Sequence, residues 1–265
     1  MLDRPVVMGI LNLTPDSFFD GGRYRQETQI VERAEEILRQ GGALIDLGAV
    51  STRPGADEVS EEEEIDRLMP ALKAIRRQFP EAILSIDTFR SRVVSLAYEE
   101  IGGFIVNDIS AGSLDENMFE TVARTGLPYI LMHMQGTPAT MQLHPSYSDV
   151  RKEVMYSLSE KINLLKQLGV NDLIIDPGFG FGKNLQHNYE LLNDLDSFRL
   201  FELPLLVGVS RKAMIWKLLE TSPDESLNGT TVINTLALMG GADILRVHDV
   251  REAVEAIRLV AEIKK

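Results

Sequence analysis

The alternation of short apolar segments with longer amphipathic ones constrains the fold of this chain more than any other feature. Segments rich in Val, Ile and Leu recur at 6–13, 43–50, 82–88, 103–110, 129–134, 172–178, 203–210 and 243–249. Stretches between them, such as ETQIVERAEEILRQGG and EEEEIDRLMPALKAIRRQFP, carry apolar residues at helical spacing. Strands that alternate with helices form right-handed βαβ units, and strands buried on both faces are apolar along their length. The pattern therefore predicts a parallel sheet.

The number of repeats narrows the architecture to a particular α/β fold. Eight strand–helix units within 265 residues are typical of a (β/α)₈ TIM barrel. No Pro/Ser-rich linker or low-complexity tract divides the chain, and SEEEE at 60–64 fits the acidic first turn of a helix. We therefore predict a single barrel domain over residues 1–265. A doubly wound open sheet remains the alternative, because strand order cannot be read from the sequence.

Composition excludes several classes of protein. The chain has no cysteine, which excludes disulfides, thiolate zinc sites and a cysteine nucleophile. Its formal net charge of −13 argues against a sequence-independent nucleic-acid interface, so we expect no nucleic-acid partner. No apolar run approaches the roughly 18 to 20 residues that span a bilayer, and the N-terminus lacks the features of a signal peptide. We expect a cytoplasmic protein with no membrane partner.

Polar residues collect at the ends of the apolar segments, where barrel enzymes carry their chemistry. A buried strand would not normally contain these residues: Asn12, Asp46, Ser51–Arg53, Asp87, Asn107–Asp108, His133, Asp176, Ser210–Lys212 and Arg246–His248. One such residue would be an ordinary cap or turn residue, but so many at equivalent positions predict one ligand-binding rim. Because strand side chains alternate, Arg246 and His248 face the same side, whereas only one of Asn107 and Asp108 can point along the barrel axis.

The residue types at the rim indicate the chemistry of the ligand. Buried carboxylates cost several kcal/mol unless they are paired, so this rim suits a ligand rich in N–H donors. A group of cations in a chain of net charge −13 indicates an anionic part, such as a phosphate or diphosphate. These cations are Arg53, Arg211, Lys212 and Arg246, with His248 beside them. We infer a heterocycle with a phosphorylated tail.

A metal, if present, should be Mg²⁺ on the diphosphate. The four histidines His133, His144, His187 and His248 show no metal-ligand spacing, and the HExxH motif is absent, so a zinc site is not expected. Mg²⁺ requires only one or two protein oxygens and completes its coordination with water and phosphate.

The stretch IIDPGFGFGKN at 174–184 is similar to a phosphate-binding loop but matches neither nucleotide motif. Gly182 and Lys183 follow Gly178 one position too early for a P-loop, and the hydroxyl residue that should follow the lysine is missing. Singly alternating glycines also do not fit the dinucleotide fingerprint. Phe179 and Phe181 can either pack the barrel or stack on a ring, and the sequence leaves both interpretations open.

Eight motifs together resemble the dihydropteroate synthase family. They are GILNLTPDSFFDGG (9–22), STRPGA (51–56), SIDTFR (85–90), NDIS (107–110), MHMQG (132–136), DPGFGFGKN (176–184), GVSRK (208–212) and RVHDV (246–250). They occur in that family's order, and the resemblance extends from about residue 5 to residue 260. The resemblance implies a (β/α)₈ barrel that condenses p-aminobenzoate with 7,8-dihydropterin-6-ylmethyl diphosphate in folate biosynthesis.

The resemblance also implies roles for individual residues, carried over position by position. The pterin should be bound by Asp87, Asn107, Met132, Asp176 and Lys212. The diphosphate should be bound by Asn12, Thr52, Arg246 and His248, with the oxygen of Asn12 on Mg²⁺. The p-aminobenzoate pocket should be bordered by Thr52, Arg53, Pro54, Phe181 and Lys212. The residues expected to be catalytic are Asp87, Lys212, Arg246 and His248. A homodimer that packs through helices late in the chain is expected, and TTVINTLALMGG (230–241) is apolar enough to contribute.

The expected reaction is a dissociative displacement at the pterin methylene, because diphosphate leaves well once its charge is neutralised and the ring delocalises the remaining positive charge. Two other functions fit part of the pattern. A pterin-binding methyltransferase would bind the same heterocycle, but it binds no diphosphate and would not require Arg246 and His248. A non-catalytic pterin-binding protein would retain Asn107 and Asp176 and lose the cations, which are present here.

Overall fold

The computed structural model describes residues 4–13, 23–50, 59–143 and 145–264. The strands are Val6–Asn12 (β1), Leu44–Gly48 (β2), Ile83–Asp87 (β3), Ile105–Asp108 (β4), Tyr129–Met132 (β5), Leu173–Asp176 (β6), Leu206–Val207 (β7) and Ile244–Val247 (β8). The α-helices are Arg23–Arg39 (α1), Glu61–Gln78 (α2), Ser91–Ile101 (α3), Met118–Thr125 (α4), Val150–Gln167 (α5), Leu185–Asn193 (α6), Ala213–Trp216 (α7), Leu227–Gly240 (α8) and Val250–Ile263 (α9). A 3₁₀ helix spans Leu195–Phe201.

The strands form one parallel sheet that closes on itself. Their order is β6-β5-β4-β3-β2-β1-β8-β7, and a parallel bridge between Ile175 and Leu205 joins the two ends. The predicted (β/α)₈ barrel is therefore confirmed, and the doubly wound open sheet is excluded. Strand β7 has only two residues and lies between Pro204, which has no N–H to donate to a ladder, and Gly208.

The period of two along each strand divides the buried residues into two cores. Outward-facing side chains such as Leu47, Leu84 and Val106 pack beneath the helices in a large cluster. Inward-facing side chains fill the lower part of the barrel in a second cluster, formed by Met8, Leu44, Ile130, Leu206 and Ile244. The next inward position on a strand lies two residues further on and thus one level higher. The same alternation that builds the inner core therefore selects the residues at the upper end of the barrel.

Helix α2 shows how the local sequence sets a boundary next to that upper end. Ser60 caps the helix by accepting a hydrogen bond from the backbone N–H of Glu63 at 3.2 Å. Four glutamates occupy the first turn and two arginines the last, as the helix dipole favours, so the predicted acidic first turn is confirmed. No helix within the described residues is long and apolar enough to cross a membrane.

Candidate active site

A charged network crosses the barrel axis one level above the inner core. Arg246, two residues after Ile244, donates from Nε to Oδ2 of Asp46 at 2.7 Å and from Nη2 to Oδ2 of Asp87 at 2.7 Å. Asn107 donates from Nδ2 to both carboxylate oxygens of Asp46, at 3.2 and 3.3 Å. Strands β2, β3, β4 and β8 each supply one residue, so the barrel brings together groups that lie up to 200 residues apart in the sequence.

The network holds two carboxylates against one guanidinium and is largely buried. Asp46 is 0% exposed, and the side chain of Asp87 is 17% exposed. Burial raises the pKa of Asp87 to about 7, an effect that Arg246 opposes and Asp46 reinforces. Burial disfavours the charge of Arg246, but Asp46 and Asp87 outweigh it and raise the pKa of the guanidinium above its ordinary value. The excess negative charge favours a ligand that brings N–H donors or positive charge into the barrel.

Asp176 supplies a third carboxylate from the end of β6. It is 5% exposed, and its Oδ1 accepts a hydrogen bond from the backbone N–H of Gly178 at 2.7 Å. Burial raises the pKa of Asp176, whereas the charge of Lys212 lowers it. Met132 ends the neighbouring strand β5 opposite Asp176 in register and is 3% exposed. Asp176 therefore adds hydrogen-bond acceptors, and Met132 an apolar surface, on the opposite side of the barrel from β1.

The loop after β6 has a conformation that requires its glycines. Gly178, Gly180 and Gly182 have φ values of 73°, 81° and 61°, which only glycine adopts readily. A Cβ atom on Gly178 would lie 1.9 Å from the carbonyl oxygen of His133, and one on Gly182 would lie 2.5 Å from that of Gln135. The GFGFG stretch thus packs tightly against the end of β5, and neither Gly178 nor Gly182 can carry a side chain without a shift of the backbone.

The two phenylalanines of this loop have different environments. Phe179 is fully buried in the core between the barrel and the helices, so packing is its role. Phe181 is partly exposed, and Nζ of Lys212 lies 4.6 Å from the centroid of its ring. Nζ of Lys212 also donates to the carbonyl oxygen of Phe179. Burial lowers the pKa of Lys212 to about 8, with Asp176 acting in the opposite direction. Lys212 therefore lies between the carboxylate of Asp176 and an aromatic surface.

His248 and Asn12 lie at the upper ends of β8 and β1, which are neighbours in the sheet. The hydroxyl of Ser210 lies 3.0 Å from Nδ1 of His248 and accepts a hydrogen bond from the backbone N–H of the same histidine at 3.1 Å. With both contacts made, the hydroxyl donates to Nδ1 and sets the orientation of the ring. Asn12 is the last residue of β1, and its side chain is half-buried.

Several predicted residues do not join this site. Thr52, Arg53 and Pro54 lie outside the described residues, as does His144. The prediction that Arg211 contributes to the cation cluster is wrong, because its guanidinium is paired with Asp249 at 2.7 Å and with Asp224 at 3.3 Å. The alternative between Asn107 and Asp108 is also decided. The carboxylate of Asp108 points outward, where it accepts hydrogen bonds from Ser110, Gly112 and Tyr129.

Three residues of the site had no role in the sequence-based prediction. Asp46 and Ser210 belong to the predicted rim without an individual role, although an isolated Asp inside the apolar LIDLG strand is a signal in itself. The sequence assigns Lys183 no place in the site, yet the residue is 2% exposed and bonds within the GFGFG loop. No sequence signal distinguishes it, because lysines after a glycine-rich turn are usually at the surface.

Comparisons with known proteins agree with this geometry. The pterin binding enzyme family matches residues 8–248. A dihydropteroate synthase of Escherichia coli strain K12 is 49% identical over 261 residues, which is 98% of this chain and 92% of that protein. A Yersinia pestis dihydropteroate synthase, solved in complex with a sulfonamide drug, has a TM-score of 0.92 and 44% identity, covering 100% of this chain and 95% of that one. A dihydropteroate synthase of Clostridium difficile, solved in the presence of pteroic acid, has a TM-score of 0.92 and 34% identity, covering 99% of both chains.

A closed parallel barrel with buried carboxylates and an arginine at the upper ends of its strands is the scaffold of an enzyme that binds a donor-rich ring. Together with the matches above, it defines the class of pterin-binding barrel enzymes. The chain belongs to the dihydropteroate synthase family of transferases.

Proposed function

We propose that the protein condenses p-aminobenzoate with 7,8-dihydropterin-6-ylmethyl diphosphate and releases diphosphate and 7,8-dihydropteroate. The observation that carries the proposal is the buried network of Asp46, Asp87, Asn107 and Arg246, with Asp176 nearby on the same rim. A pterin carries an amino group and ring N–H groups, which are the donors that such a set of acceptors requires. The dihydropteroate synthases of known structure support the same assignment.

In this proposal the pterin lies across the barrel axis. Asp176 accepts from its amino group and ring N–H, Asn107 contacts the opposite edge, and Asp87 contacts another ring nitrogen. Lys212 lies on the side of the ring carbonyl, to which an ammonium can donate. Met132, buried at the end of β5, supplies an apolar contact to the ring. The network favours this arrangement, since it holds more carboxylate than guanidinium charge and the ring brings N–H donors to it.

The diphosphate lies above the pterin, near the upper ends of β1 and β8. Arg246 uses Nε and Nη2 for Asp46 and Asp87, and within the described residues its Nη1 makes no hydrogen bond, so that group can donate to the diphosphate. His248 is oriented by Ser210 toward the same end of the barrel. Asn12 and Thr52 complete the diphosphate contacts in this proposal.

The donor set suits Mg²⁺ that arrives with the diphosphate. Within the described residues no group of three His, Cys, Asp or Glu side chains could hold a metal ion by itself. Asn12 provides a single amide oxygen, which matches the preference of Mg²⁺ for few protein ligands and many oxygens from phosphate and water. When bound there, Mg²⁺ would neutralise charge on the leaving group.

The reaction in this proposal is dissociative. The bond between the pterin methylene carbon and the diphosphate oxygen breaks, its electron pair leaves with the diphosphate, and Arg246 and His248 stabilise the developing negative charge. The positive charge left on the pterin is delocalised over the ring and stabilised by Asp87 and Asp176. The amine lone pair of p-aminobenzoate then forms the new C–N bond, and the nitrogen releases a proton to solvent. Phe181 and Lys212 border the second substrate, together with Thr52, Arg53 and Pro54.

The defining experiment supplies purified protein with Mg²⁺, p-aminobenzoate and the pterin diphosphate. Dihydropteroate and diphosphate are expected to appear in equal amounts. Absence of both products at high enzyme concentration would refute the proposal. Methyl transfer from a methylated pterin to a corrinoid, measured in the same preparation, would instead support the methyltransferase.

We also propose a homodimer that packs through α8 and α9. Val232, Leu236 and Met239 lie on one face of α8 and are 52%, 50% and 46% exposed, and Leu259 and Ile263 of α9 are 70% and 71% exposed. A groove of about 420 Å³ runs between the two helices. Several large exposed apolar side chains on two neighbouring helices are typical of an interface. Light scattering should give twice the monomer mass for the wild type and the monomer mass for Leu236→Asp. A monomeric wild type at micromolar concentration would rule this interface out.

A further inference from the structure

One buried charged side chain has no part in the proposed mechanism. Lys183 follows the GFGFG stretch and is 2% exposed. Its Nζ donates to the carbonyl oxygens of Gly178 at 2.9 Å and Phe181 at 3.0 Å. It also lies 2.9 Å from Nδ1 and 3.3 Å from the carbonyl oxygen of His133. An ammonium group has three N–H donors, and this one is surrounded by four acceptors.

The contacts of Lys183 belong to a larger set that holds the loop. Five consecutive carbonyl oxygens, 178 to 182, each accept a hydrogen bond from a side chain. Lys183 binds those of Gly178 and Phe181, while Lys212, Gln142 and Tyr147 bind those of Phe179, Gly180 and Gly182 in turn. Positive φ angles at the three glycines turn successive carbonyls in different directions, so the loop depends on donors from several neighbouring elements. Among these donors, Lys183 alone binds two of the five carbonyls.

The loop connects the two halves of the proposed site. Asp176 at its start is fixed through the hydrogen bond from the backbone N–H of Gly178, and Phe181 lies near its end. Lys183 binds the carbonyls of both Gly178 and Phe181 and ties them to His133 at the end of β5. We propose that Lys183 is a positioning residue for both substrates, because its ammonium group holds Asp176 against the pterin and Phe181 against p-aminobenzoate. This inference rests on the function proposed above.

The charge of Lys183 is part of this role. Burial lowers the pKa of Lys183 to about 7, an effect that Asp176 opposes and Lys212 reinforces. Burial, with the charge of Lys183, lowers the pKa of His133 to about 3, so the imidazole is neutral and Nδ1 can accept. A deprotonated lysine keeps two N–H donors for four acceptors, so at most two of its contacts to Gly178, Phe181 and His133 remain, and the tie between the loop and β5 is weakened. The titratable groups that face this cluster from the surrounding elements are Asp176, Lys212, His133, Tyr147, His187 and Lys161.

The test compares Lys183→Met with a matched variant, Lys161→Met. Lys161 also fixes a loop at the upper end of the barrel, by donating to the carbonyl oxygen of Ala111 at 2.7 Å and to the hydroxyl of Ser113 at 2.8 Å. Lys183→Met should raise the Kd of a pterin without a tail and the KM of p-aminobenzoate by about tenfold each, because a loosened loop must be ordered on binding. The kcat should change less than about threefold, and Lys161→Met should keep Kd and KM within about twofold of the wild type.

A pH profile of the KM distinguishes positioning by the charged ammonium group of Lys183 from a role in which its side chain only fills the space behind the loop. The KM of p-aminobenzoate in the wild type should rise between pH 6 and 8.5, and the component that titrates near pH 7 should be absent in Lys183→Met. A folded Lys183→Met protein with unchanged Kd and KM would overturn the inference. If the wild type makes no dihydropteroate, the proposed function fails instead.

A measurement on the wild type covers the case in which Lys183→Met does not fold. Hydrogen–deuterium exchange of the peptide spanning 177–184, corrected for the chemical exchange rate at each pH, should show less protection at pH 7.5 than at pH 6. The loss should have its midpoint near the pKa of Lys183 at about 7 and not near that of Lys212 at about 8. A peptide from α2 should show constant protection over the same range. Equal protection of the 177–184 peptide at both pH values would overturn the inference.

Discussion

The ionised carboxylate of Asp87 should lower the stability of the folded protein, although the proposed reaction requires it. Asp87→Asn should therefore be more stable than the wild type at high pH. Burial raises the pKa of Asp87 from 3.8 to about 7 even though Arg246 is 2.7 Å away. Each pKa unit corresponds to about 1.4 kcal/mol, so keeping this carboxylate ionised costs the folded state on the order of 4 kcal/mol. Because the side chain retains some exposure, solvent screening reduces this cost, and we expect a gain of about 2 kcal/mol.

The sign of the pH dependence follows from proton linkage. Between pH 4 and pH 7 the folded state binds the proton of Asp87 and the unfolded state does not, so wild-type stability falls as the pH rises and levels off above about pH 7. Asp87→Asn removes this slope. The variant should match the wild type near pH 4.5 and exceed it by about 2 kcal/mol at pH 8, which is about 4 to 8 °C in Tm for a chain of this size.

The assay is urea unfolding and thermal unfolding of both proteins at pH 4.5 and pH 8, with the exposed Asp172 changed to Asn as a control. The control should differ little from the wild type at either pH. Dihydropteroate formation by Asp87→Asn should fall at least 100-fold, because an amide cannot stabilise the cationic ring as a carboxylate does. An Asp87→Asn protein that is less stable than the wild type at pH 8, or whose stability difference is the same at both pH values, would refute the reasoning.

Three further predictions concern the other parts of the site. The kcat/KM should follow a bell-shaped pH profile, because Asp87 becomes ionised at about pH 7 and Lys212 loses its proton at about pH 8. Lys212→Arg should extend the alkaline limb, and an unchanged limb would exclude Lys212 as its cause. Gly178→Ala should lower the free energy of unfolding by about 3 kcal/mol, because the new Cβ would lie 1.9 Å from the carbonyl oxygen of His133 and the residue has a positive φ. A Tm within 2 °C of the wild type in thermal unfolding would contradict this packing. Ser210→Ala should raise the KM of the pterin diphosphate about fivefold, because the hydrogen bond that orients His248 is lost. The Kd of a pterin without the diphosphate should not change. An equal loss of affinity for both ligands would contradict the assignment of His248 to the diphosphate.

The sequence by itself determined the barrel and the location of the site. Each strand needs apolar side chains on both faces, and each helix needs an apolar stripe, so the repeat is visible in the order of the residues. The polar residues at the strand ends can be recognised in the sequence for the same reason. A charged residue such as Asp176 or Arg246 interrupts an otherwise apolar segment, which burial would not normally allow. The glycines of the GFGFG loop are also recognisable in the sequence as a motif, but the conformation of the loop is not.

Only the tertiary structure decided how the charges pair and which of them are buried. Arg246 and Arg211 are both arginines at strand ends, yet the first lies between Asp46 and Asp87 and the second is paired with Asp249. Arg246 and Asp46 lie 200 residues apart in the sequence and meet because the sheet closes into a barrel. Their spacing along the chain does not predict this contact. Burial likewise raises the pKa of Asp87 and lowers that of Lys183, because the surrounding chain removes water from them. The electrostatic properties of the site therefore arise only when the barrel is assembled.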